Sequence, residues 1–112
     1  MKIPMQMGGV QEVATGIDGV TAYKCGKVVT VILNPASKIT ATGEGWKNIG
    51  TLPAELRPDT VVIFAGMDNA ATGFSNSIAV AMSIEPTGIF KVWFWSGHLS
   101  QRPAGTVTYI AD

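Results

Sequence analysis

IFKVWFW, residues 89–95, alternates with a period of two. Phe90, Val92 and Phe94 fall on one face and Ile89, Lys91, Trp93 and Trp95 on the other, the pattern of a half-buried β-strand. Phe90, Val92 and Phe94 are predicted to fill the domain's own core, with Trp93 and Trp95 facing away from it. Pro86-Thr87-Gly88 makes a turn before this strand, and a second alternating run, residues 77–85, precedes the turn. There Ile78, Val80, Met82 and Ile84 share a face, while Ala79, Ala81 and Ser83 share the other. Small residues on that second face point to close approach by another layer or subunit.

Outward from this pair, the chain keeps the same character. Thirteen glycines and six prolines cut it into short pieces rich in Val, Ile, Thr and aromatics, which suit a pleated sheet better than a helix. KVVTVILN, residues 27–34, is apolar on both faces, so the expectation is a strand covered on both. Residues 13–17 and 20–24 flank Asp18-Gly19, a two-residue loop suited to a type I′ hairpin turn. Residues 38–42, 60–65 and 106–110 read as further strands. Residues 43–58 and 97–104 read as loops, and a polar loop holding Asp68, Asn69, Thr72, Gly73 and Asn76 joins two of the strands. About seven or eight short strands indicate one all-β domain, a sandwich or barrel, over residues 10–112. Residues 1–9 read as a loose arm or a cut point from a longer protein.

Composition narrows the function. Eight basic residues balance eight acidic ones, which argues against a nucleic-acid partner. Charged residues make up 14% of the chain against 46% hydrophobic, where soluble domains carry roughly 25% charged. A small monomer so poor in charge exposes apolar patches, so burial against other copies or a larger assembly is expected. No run is long enough for membrane insertion, and no signal peptide is read at the start.

No catalytic constellation is legible. Cys25 stands alone and is read as a small core residue; it can build neither a disulfide framework nor a cysteine zinc site. His98 is the one histidine. There is no Gly-x-Ser-x-Gly elbow, and GEGWKNIG lacks the GK[ST] ending of a phosphate loop. Nothing singles out a carboxylate pair about 5–9.5 Å apart for glycoside chemistry. The chain is expected to be no enzyme, with no cofactor and no metal.

Binding residues are more legible. Trp93 and Trp95 either bury at a core or subunit interface or stack on sugar rings. Asp68, Asn69, Asn76, His98, Gln101 and Arg102 are the right types to hydrogen-bond sugar hydroxyls, and equally the contents of a solvated loop. The candidate ligand set is therefore Asp68, Asn69, His98, Gln101, Arg102, Trp93 and Trp95.

WKNIGTLPAELRP, residues 46–58, resembles a pattern recurrent in phage and prophage tail proteins, where a Trp precedes an IGTLP segment and an RP pair. Gly88-Ile89, the aromatic strand and GTVTY, residues 105–109, fit the same resemblance, which spans residues 20–110. It implies the C-terminal head domain of a tail-fibre or receptor-binding protein: a homotrimeric, jelly-roll-like antiparallel β-sandwich that recognises host cell-surface saccharide. It further implies a place in the virion tail beside other tail or baseplate proteins. No ligand residue carries over, because such heads vary in their loops. Within the segment, Leu52-Pro53 and Arg57-Pro58 hold the backbone extended, and Leu52, Leu56 and Trp46 are expected to clasp an open end of the domain. Two alternatives stay open: a structural trimerisation module without a ligand, and a carbohydrate-binding unit of a bacterial surface enzyme.

Overall fold

Period-two patterning becomes antiparallel strand in the structure, a computed structural model that describes residues 9–68 and 78–111. The strands are β1 (Gln11–Val13), β2 (Val20–Cys25), β3 (Val28–Leu33), β4 (Ile39–Thr40), β5 (Gly45–Thr51), β6 (Val62–Asp68), β7 (Ala79–Ile84), β8 (Ile89–Phe94), β9 (Ser100–Gln101) and β10 (Pro103–Ile110). Eight of them form one curled sheet in the order β1-β2-β3-β10-β6-β7-β8-β5, and β4 pairs with β9 apart from it.

The curl depends on β10. Its stretch from Gly105 to Ile110 pairs with β3, whereas Pro103 and Ala104 pair with β6. One strand thus belongs to both halves of the sheet. Two glycines permit the crossing: a Cβ on Gly66 would lie 2.1 Å from the Ala104 carbonyl oxygen, and one on Gly105 3.2 Å from Gly66 Cα.

Curling turns the inner faces of both halves onto one core. Val29, Val31 and Leu33 meet Val80, Met82, Ile84, Phe90, Val92 and Phe94 in a single apolar cluster. Phe90, Val92 and Phe94 are fully buried, as the alternation of residues 89–95 requires. Each such side chain contributes about 1.5–3 kcal/mol by leaving water.

The opposite face is open. Val28 is 43% exposed, and Tyr23 and Ile110 beside it are exposed as well. The expectation that residues 27–34 are covered on both faces therefore fails among the described residues, because the sheet curls one way and none of them forms a second layer outside it. Cys25 pairs with Val28 on this outer face and is exposed, not a core residue.

Three local readings also change. Residues 45–51, expected as loop, are β5, an edge strand paired with β8. Its register shifts between Asn48 and Gly50, and Gly50, at φ +154°, leaves room for Ile17, whose Cγ1 would be 2.6 Å from a Cβ there. Residues 97–104 contain β9 and the start of β10. The first hairpin exists, with Val13 opposite Ala22, but its turn is not type I′. Gly19 has positive φ and Asp18 does not, and Ile17 C=O accepts the Val20 N–H at 3.1 Å. The Thr15 hydroxyl donates to Val20 C=O at 2.8 Å and accepts the Ile17 N–H at 3.2 Å, drawing the chain out of the ladder before the turn.

The proline segment is a clasp, as expected, apart from its tryptophan. A single 3₁₀ turn, Ala54–Leu56, seats Leu56 in the core, and Leu52 is buried beside it. Four hydrogen bonds tie it down. Leu52 N–H donates to Gly88 C=O at 2.8 Å, and Arg57 Nε to Leu52 C=O at 3.1 Å. Lys24 Nζ donates to Glu55 C=O at 2.8 Å, and the Tyr109 hydroxyl to Leu56 C=O. Trp46 takes no part, since β5 turns it to the outer face.

Candidate functional site

Register creates an aromatic cluster. β5 and β8 pair so that Trp46 stands directly opposite Trp93. Their ring centroids are 5.5 Å apart with planes at 84°, edge to face. Trp95, two residues on and therefore on the same face, meets Trp93 at 5.7 Å and 67°. All three tryptophans of the chain are in this one ladder. Such pairs are worth about 0.5–1.5 kcal/mol each beyond area burial, which fixes the rings relative to one another.

The outer rings are the accessible ones. Trp46 is 44% and Trp95 46% exposed, while Trp93 is half-buried between them. The Trp93 indole N–H is buried and meets no acceptor among the described residues, so Trp93 acts as a spacer and Trp46 and Trp95 present the faces. Beside them the sheet surface is low. Ala65 stands opposite Ala81 and Met67 opposite Ala79, all on the outer face. Among the described residues, the short side chains of Ala79 and Ala81 keep this surface low on the side of β7.

The loop after β8 joins this face to a polar end. Trp95 C=O accepts the His98 N–H at 2.9 Å, closing a turn with Gly97 at φ +85°. Ser96 N–H donates to Glu44 Oε1 at 2.9 Å. Gln101 Nε2 donates to His98 C=O at 2.7 Å, and Asp68 Oδ1 accepts the Arg102 N–H at 3.1 Å. The loop is thus braced from both sides.

The expected ligand residues divide accordingly. Trp95 and His98 are exposed, and Trp93 and Arg102 are half-buried. Asp68 and Gln101 are buried. Asp68 is not a loop residue at all: it ends β6, and its carboxylate holds the backbone at Arg102. Gln101 is drawn inward because β9 pairs with β4. Both are buried and hydrogen-bond the loop backbone from within. Asn69, with Thr72, Gly73 and Asn76, lies outside the described residues. Trp46, read from the sequence as part of the clasp, stands on this aromatic face instead. Its signal was the alternation of Trp46 with Lys47 and Asn48 against residues 89–95, concealed by the flanking glycines.

An exposed, pre-ordered pair of indole faces beside a braced polar loop is suited to a flat ligand with hydroxyl groups at its edges. No protein-family model matches the chain, and no curated protein matches it either.

Proposed function

We propose that this chain is a saccharide-recognising head module of the phage or prophage tail type, acting as a homotrimer of jelly-roll-like β-sandwiches on a host cell surface. The observation that carries the reading is the tryptophan ladder, with Trp46 and Trp95 exposed beside the loop that bears His98 and Arg102. Indole faces stack on the C–H faces of sugar rings, and the rim supplies donors for hydroxyls. The resemblance of residues 46–58 supplies the setting, including the virion tail and neighbouring tail or baseplate proteins as partners. What supports assembly is the uncovered apolar surface, with Ile63 at 69% and Ile110 at 59% exposure. Three sites per trimer and many trimers per particle raise avidity by roughly 10²–10⁴, so each site needs only weak affinity.

A second reading has its own observation. The alanine shelf and exposed Ile63 and Met67 suit a subunit contact, which makes the chain a ligand-free trimerisation module. One experiment separates the two. Mass by light scattering is measured, and binding to host cell walls is compared for wild type, Trp95→Ala and Trp46→Ala. The saccharide reading expects a trimer, and a loss of about 2 kcal/mol, roughly thirtyfold in affinity, for either variant while it stays folded at the assay temperature. A trimer that binds no susceptible wall, or binding untouched by both substitutions, overturns it in favour of the structural module.

A further inference from the structure

On the other side of β5 from Trp46, the chain forms a cleft of about 390 Å³, within the range of small-ligand sites. Its floor includes Ile17, Ile39 and Ile49, which pack against the core. Lys38 and Lys47 line it from two separate segments of chain, together with Ser37 and Asn48. Among the described residues, neither ammonium lies within ion-pair distance of a carboxylate, and the ion pair joins Lys91 to Glu85 at 2.6 Å. Asp18 lines the same cleft, leaving one positive charge in excess.

We propose that this cleft binds the charged sugar of an acidic saccharide, a pyranose bearing a carboxylate or a phosphate, with Lys38 and Lys47 on the anion and the isoleucine floor under the ring. Each feature excludes a simpler ligand. A bare inorganic anion has no use for an apolar floor, and a neutral sugar has no use for two cations in the lining. An inward charge on an edge strand also discourages strand addition, which accounts for Lys47 but not for Lys38, which lies off the sheet. The class of ligand rests on the saccharide reading above; the cleft, its charge and its residues do not.

The test uses the whole chain and four probes: a uronic-acid oligosaccharide, a sugar phosphate, a neutral oligosaccharide of equal length, and inorganic phosphate. Amide chemical shifts of Lys38, Ile39, Lys47 and Ile49 are followed by NMR during titration, for wild type, a Lys38→Gln/Lys47→Gln variant and Trp95→Ala. One or both acidic sugars should shift these amides, more weakly as salt is raised. The double lysine variant, with an unchanged melting temperature, should lose on the order of tenfold in affinity, and Trp95→Ala should lose none. The uronate and phosphate arms identify the source of the anion. Inorganic phosphate shifting the amides as strongly as a sugar overturns the proposal in favour of a plain anion patch. Neutral sugar binding equally well, or acidic sugar binding unaffected by the lysine changes, overturns it as well. Loss of wall binding in the tryptophan variants with this titration intact, or the reverse, tells which of the two sites has failed.

Discussion

Replacing Tyr109 by phenylalanine removes one oxygen atom from the only phenol that reaches across the domain. Tyr109 is 8% exposed, and its hydroxyl donates to the carbonyl of Leu56, itself fully buried in the clasp. The ring stays in place in the variant, so the loss is the hydrogen bond together with the carbonyl oxygen it leaves unsatisfied, about 1–3 kcal/mol. For a domain of this length that is about 4–12 °C in melting temperature. A second signature reports the burial of the phenol itself. Burial pushes the Tyr109 phenol up from 10.0 to about 12. The folded state therefore holds the proton more tightly than the unfolded chain does. Its contribution is whole below pH 10 and is lost as pH rises from 10 to about 12, up to about 2–3 kcal/mol in all. Urea unfolding at pH 7, 10 and 12 should find wild type more stable than Tyr109→Phe at pH 7, with the gap closing by pH 12. A variant as stable as wild type at pH 7, or a gap that stays constant to pH 12, refutes the reasoning.

Gly66→Ala places a Cβ against the backbone of Ala104, where neither strand can give way. It should cost about 3 kcal/mol or more, read as a collapsed melting temperature or loss of soluble protein, whereas Gly43→Ala, with open space around it, should be close to neutral. Phe94→Ala should cost about 3–5 kcal/mol in chemical unfolding; a loss no larger than that of Glu12→Gln, an exposed control, means the strand faces the other way.

Legibility followed locality. Phe90, Val92 and Phe94 could be placed because alternation is written within seven consecutive residues and needs no knowledge of the partner strand. β5 could not, since Gly45, Asn48 and Gly50 carry the composition of a loop, and only pairing with a strand some distance along the chain makes them extended. Missing β5 meant misplacing Trp46, and with it missing the ladder. Asp68 and Gln101 were misjudged for a related reason. Polar residues flanked by turn formers read as solvated, yet β4–β9 and β6–β10 pairing closes over them. Residues 27–34 were expected to be covered on both faces on grounds of hydrophobicity alone, which cannot distinguish a second layer from a second molecule.

The double duty of β10 also governs when the domain can exist. Val28 pairs with Ile110, far along the chain, and β6 closes on the same strand. Until β10 arrives, β3 and β6 both present bare hydrogen-bonding edges, and the apolar faces behind them have nothing to close upon. Pairing at such separation is slow, since loop-closure entropy is lost before contacts form. The vulnerable species is thus a half-sheet waiting for its last strand, and at high concentration the strand it captures can belong to a neighbour. Refolding yield should accordingly fall with protein concentration, and a free peptide of residues 103–110 should intercept the waiting edges before the chain's own β10 does.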